Sequence, residues 1–139
     1  MQTLSLQDAI SLAERAAAVA EDHIPYGSGL GAPTSFTLAW LLARSGMEGI
    51  RVASGSSGMG DHFWVETGQW RIDPTLRQFA QLNHKPLVEP VEEPGNFAAT
   101  KYYAVPSTRQ EAVREVSYGF RNAAETEDFV REMEAAIAL

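Results

Sequence analysis

A chain of 139 residues has the length of one domain, enough for a single hydrophobic core. Its 45% hydrophobic and 21% charged residues are those of a globular protein. A formal net charge of −7, with no cluster of Lys or Arg, argues against nucleic acid or an anionic membrane surface as partner.

No apolar run approaches the roughly 18 residues of a membrane span. The N-terminal stretch lacks the basic-then-apolar pattern of a signal peptide, so the expected location is the cytoplasm, or a target cell entered without a cleavable signal. Cysteine is absent, which removes disulfides and cysteine-based zinc sites.

Ser5-Leu6-Gln7-Asp8 reads as a variant capping box, and Leu6, Ala9, Ile10, Ala13, Ala17 and Ala20 keep a 3.6-residue period, predicting a helix over 6–21. Pro25, Gly27, Gly29 and Gly31 mark a turn-rich connector. Pro33 suits a first helical turn, Phe36, Ala39, Trp40 and Ala43 form an inward stripe, and Gly46 ends this second helix as its C′ residue. Residues 50–53 predict a short strand, and the Ser/Gly run 54–58 a mobile loop beside the site. Residues 62–66 and 70–73 predict a hairpin, with weaker strands at 87–89 and 101–105. Ser107 to Gln110 repeats a capping-box pattern before a helix of about a dozen residues. Asn122 to Glu125 opens a last helix carrying Phe129, Val130, Met133 and Ile137 on one face. The order predicts an α+β domain spanning 1–139.

Side chains alternate faces along a strand, so a two-residue turn at Thr67-Gly68 or Gly68-Gln69 leaves His62 and Asp73 on one face. The first register sets them directly opposite; the second makes them diagonal neighbours. Phe63, Val65, Trp70 and Ile72 fall on the other, wholly apolar face. A carboxylate accepting an imidazole N–H fixes the ring's tautomer and stabilises the imidazolium formed when it takes a proton. From spacing alone, an ordinary cross-strand polar pair is the simpler reading of these residues.

The wider string is more specific. His62, Trp64, Val65, Glu66, then Gly68, Trp70, Ile72, Asp73, Pro74, Thr75, then Gln78 and Phe79 follow the pattern H-x-W-V-E…G-x-W-x-I-D-P-T-x-x-Q-F. This resembles the His/Asp block of papain-like and transglutaminase-like cysteine hydrolases. The resemblance implies a papain-like α+β fold with N-terminal helices on a small antiparallel sheet. It also implies thiol-dependent attack on protein amide bonds or glutamine side chains: proteolysis, deamidation or transglutamination. No cofactor is implied. The partners implied are a protein or peptide substrate and, for the toxin and effector domains of similar pattern, a target or a cognate immunity protein.

In that family a Cys opens the helix upstream of the His, in a pattern such as C-x-x-x-S or C-x-x-S. The stretch Gly31 to Gly46 is similar to this helix but has no Cys, and Ala32, with Ser35 three residues on, aligns with the nucleophile. A helix N-terminus lowers a thiol pKa and can hold an oxyanion, and His62 would act as base and then acid, with Asp73 orienting it. Ala32 then stands for a Cys→Ala replacement that inactivates the enzyme, or for a natural pseudoenzyme that binds peptide or protein. In a third reading the hydroxyl of Thr34 or Ser35 takes over.

No Gln stands in 21–31 to donate to an oxyanion. Tyr26 is the candidate there, against the simpler reading of a buried Tyr in a turn. Trp64, on the His62 face, shields the site or lines a substrate groove. Glu66 and Arg71 are expected to pair across the hairpin, Gln78 and Phe79 to start a short helix below the site, and His23 and His84 to lie at the surface without metal-ligand spacing.

Overall fold

The computed structural model describes residues 3–23, 30–58 and 60–139. Its elements are α1 (Leu6–His23), α2 (Gly31–Arg44), β1 (Arg51–Ser56), β2 (Asp61–Glu66), β3 (Trp70–Ile72), β4 (Val88–Pro90), β5 (Lys101–Tyr103), α3 (Arg109–Ser117) and α4 (Ala123–Ala136). Single 3₁₀ turns occupy Leu76–Gln78 and Ala80–Leu82. The sheet runs β4-β3-β2-β1-β5 with every neighbouring pair antiparallel, an α+β architecture.

One row of side chains explains how the sheet meets the helices. Tyr103, Val52, Val65, Ile72 and Val88 are register partners in turn across all five strands. They share a face, and β-branched residues fill most of the row, as suits a pleated surface. Against this face lies α2, whose residues from Pro33 to Leu42 are buried on every side. A helix apolar all round belongs in an interior, and α2 lies between the sheet and helices α3 and α4. Burying each of Leu38, Leu41 and Leu42 stabilises the fold by about 1.5–3 kcal/mol. The small residues Ala9, Ala13, Ala16 and Ala17 let α1 approach the same core closely.

Local signals account for the helix ends. The Asp8 amide donates to Ser5 Oγ at 3.0 Å, and the Glu125 amide to Asn122 Oδ1 at 2.9 Å. Gly46 follows α2 with φ 103, the left-handed conformation expected of a C′ glycine. Helix α3 is capped one residue later than the sequence pattern suggests. Thr108 takes the Glu111 amide at 3.1 Å, while the Ser107 amide and hydroxyl donate to the Glu111 carboxylate, both at 2.9 Å.

The Ser/Gly run is not one loop. Ser54 to Ser56 continue β1, because Ser54 and Gly55 pair with Phe63 and His62. The outer face of the sheet is also covered, by the segment 91–100 between β4 and β5. A Cβ at Gly55 would stand 2.2 Å from the Ala98 carbonyl oxygen and 3.2 Å from the Trp64 ring. Gly55→Ala therefore has to lift this segment, at a cost of about 1–3 kcal/mol. A lowered urea midpoint with new proteolytic cleavage within 91–100 is the expected result.

Charges on the outer face pair differently from expectation. Glu66 and Arg71 are backbone register partners, but Glu66 accepts from Arg51 at 2.9 Å and from Trp64 Nε1 at 3.0 Å. Arg71 instead donates to the carbonyls of Val91 and Glu93, at 3.2 and 3.0 Å, and so ties down the covering segment. His23 is no free surface group either. Its ring stands edge-on to Phe120 and Phe129, and its Nε2 pairs with Glu132, fastening the end of α1 to α4. His84 is exposed. Among the described residues no helix is long and apolar enough to cross a membrane.

Candidate functional site

The hairpin adopts the second of the two expected registers. Val65 pairs with Ile72 and Glu66 with Arg71, so Asp73, just past β3, is the diagonal neighbour of His62. Thr67 sets this turn: its hydroxyl accepts from the amides of Gln69 and Trp70, at 3.1 and 2.8 Å. The Asp73 amide donates to the Leu87 carbonyl at 2.8 Å, which fixes the backbone that carries the carboxylate.

His62 Nε2 lies 2.8 Å from both Asp73 carboxylate oxygens. The pair is buried, with His62 only 2% exposed. Burial pushes the Asp73 carboxyl above its ordinary range, against the hydrogen bond and charge of His62, which act to lower it. With Nε2–H committed to Asp73, Nδ1 carries the lone pair, a tautomer assigned from the hydrogen-bond network. The Gln78 amide, 3.5 Å away, donates toward that lone pair. Gln78 stands in the single 3₁₀ turn after Asp73-Pro74-Thr75. Its part in the site is one that alternation along the strands does not reveal.

The Nδ1 side of the ring faces the start of α2. A Cβ at Gly31 would stand 3.4 Å from His62 Nδ1, 3.5 Å from the Phe63 amide and 3.6 Å from Thr75 Oγ1. These are ordinary van der Waals distances, so a small side chain fits there without displacement. Gly31 is the first residue of α2, and Leu30 before it supplies no side-chain cap. Pro33 has no amide hydrogen, and the Thr34 amide bonds the Leu30 carbonyl at 3.0 Å. Among the described residues, the amides of this helix end left without a partner are therefore those of Gly31 and Ala32, at the positive end of the helix dipole.

Ala32, the expected nucleophile position, packs against the hydrophobic core. Successive helical side chains diverge by about 100°, so residues 31 and 32 cannot both face His62. The alternative of a hydroxyl nucleophile meets a plain obstacle. Thr34 and Ser35 are fully buried, and among the described residues neither hydroxyl has a hydrogen-bond partner, His62 included. The spacing C-x-x-x-S counted back from Ser35 reaches residue 31, whereas C-x-x-S reaches 32. The longer spacing is the one that reaches the residue beside His62 Nδ1.

Trp64 packs beside the site and also lines the open pocket bounded by Arg51, Glu66, Arg71 and Phe97. It is 1% exposed, with its ring centroid 6.1 Å from His62 and stacked on Phe97 at 6.4 Å. Phe79 and Phe97 close on the His62 ring, with centroids 4.9 and 5.0 Å away. Phe79 is thus part of the wall around the histidine. Tyr26 lies outside the described residues.

A polarised, buried His–Asp pair aimed at an uncapped helix start can accept a proton from a group at residue 31 and return it to a leaving group. No protein-family model, no curated protein and no solved structure matches the chain, so its functional reading rests on this geometry and on the sequence pattern.

Proposed function

We propose that this domain has the site of a papain-like Cys-His-Asp enzyme acting on protein amide bonds or glutamine side chains, in a form without its nucleophile. The reacting position is residue 31 rather than Ala32. The observation that carries this reading is the 3.4 Å between the Cβ position at Gly31 and His62 Nδ1, on the ring edge opposite the Asp73 hydrogen bonds. A thiol there would pass its proton to Nδ1, and the thiolate would attack the carbonyl carbon to form a tetrahedral oxyanion. As that intermediate collapses to a thioester, the imidazolium protonates the departing amine. The amides at the start of α2 are the nearest donors for the oxyanion.

Water or a second amine then resolves the thioester, giving hydrolysis, deamidation or acyl transfer from one set of residues. A role as toxin or effector with a cognate immunity protein belongs to this proposal through the sequence resemblance alone. With glycine at 31 the chain is inactive, and His62 has nothing to activate.

Gly31→Cys is the direct test. Incubated with glutamine-containing peptides or activated acyl esters, the variant is expected to gain the mass of an acyl thioester, and Gly31→Cys/His62→Ala to gain none. Equal acylation of both proteins would overturn the reading.

A further inference from the structure

We propose that Thr75, through its hydroxyl, is the hydrogen-bond donor that holds a sulfur at position 31 as thiolate. This role rests on the reading above. Thr75 already serves the site through its backbone, since its amide favours the charged form of the Asp73 carboxyl. Its hydroxyl does not share in that. Oγ1 is buried without a partner among the described residues, Thr75 being 8% exposed, and it lies 3.6 Å from the Cβ position at Gly31.

An unpaired buried hydroxyl is unfavourable, and such groups call for an explanation. Thr34 and Ser35 are orphaned as well, but of the three hydroxyls only that of Thr75 is among the three groups nearest the empty Cβ position. A sulfur carried by that Cβ is within reach of both His62 Nδ1 and Thr75 Oγ1. His62 can offer the sulfur one N–H once it is protonated. Thr75 adds an O–H whose geometry does not depend on the charge of the ring. A donor to the charged form favours that form, so the hydroxyl lowers the thiol pKa. Thr75 thereby favours the charged carboxylate through its amide and a thiolate at residue 31 through its side chain, and its hydroxyl, unpaired among the described residues, is the trace of the missing acceptor.

The test follows thiolate ultraviolet absorbance against pH in Gly31→Cys, Gly31→Cys/Thr75→Val, Gly31→Cys/Thr75→Ser and Gly31→Cys/His62→Ala. Urea unfolding of each establishes that it folds. Removing the hydroxyl is expected to raise the thiolate midpoint by about one pH unit, a tenfold change in the ionisation equilibrium, with serine restoring it. A midpoint lowered by His62 but equal in the Val and parent thiol proteins overturns the role of Thr75 alone. A midpoint at the ordinary thiol value whether or not His62 is present overturns the underlying reading, and this proposal with it. The Gly31 chain gives an independent sign. Thr75→Val removes an unpaired hydroxyl there and is expected to raise the urea midpoint, whereas a fall would mean that the hydroxyl is already paired.

Discussion

Near pH 6, iodoacetamide is expected to label the new thiol of Gly31→Cys about 100-fold faster than that of Gly31→Cys/His62→Ala. An ordinary thiol, with a pKa of about 8.5, is well under a hundredth thiolate at that pH, whereas thiols paired with histidine at helix starts ionise below it. The gain falls short of the full change in ionised fraction because nucleophilicity drops with thiol pKa. Access works against the prediction. His62 is 2% exposed beneath Phe79 and Phe97, and truncating it opens a path to the sulfur. A ratio in the expected direction is therefore not an artefact of exposure. Equal rates, with equal thiolate absorbance, would show that His62 does not act on residue 31.

His62→Ala is expected to cost about 3–5 kcal/mol of stability near pH 7, because it leaves the Asp73 carboxylate buried without its partner. The deficit shrinks on acidification, and the sign follows from the direction of the Asp73 shift. Burial raises this carboxyl, so the folded state binds its proton more tightly than the unfolded chain does. The stabilisation from that proton is fully present below the unfolded pKa and is lost as pH rises through the folded value. Removing His62 takes away the hydrogen bond and charge that hold the shift down, so in the variant the loss extends to higher pH. Asp73→Asn keeps an acceptor for Nε2–H without a buried charge and is expected to cost only about 1 kcal/mol. Urea midpoints of the three proteins, measured from the carboxylate range to neutrality, check this. A His62→Ala deficit that does not change with pH would contradict it.

The pairing of His62 with Asp73 was legible because strand alternation and a short turn leave few registers, and both candidate registers put the two residues on one face. The helices were legible where caps and periodicity agree, as at Ser5 and Asn122. Three features were not. The second covered face of the sheet comes from the segment 91–100, whose Gly95 and Ala98 pack by backbone, and no periodic pattern marks such a cover. Glu66 and Arg71 look like a cross-strand pair, yet Arg51 competes for the same carboxylate from the neighbouring strand, and strand order is not written in local spacing. The proposed move of the reacting position from Ala32 to residue 31 is a single residue of register at the start of α2, which the motif leaves open between C-x-x-x-S and C-x-x-S. Only the direction of the Cβ vector separates them.

That direction is open to one measurement: the pH midpoint of thiolate absorbance in Gly31→Cys set beside Ala32→Cys. With residue 31 against His62 Nδ1, its thiol ionises well below the ordinary value of about 8.5, and the shift vanishes with His62→Ala. The thiol at 32, directed into the core, ionises at or above that value. A lowered, His62-dependent midpoint at 32 with an ordinary one at 31 would contradict the placement of the reacting atom at residue 31.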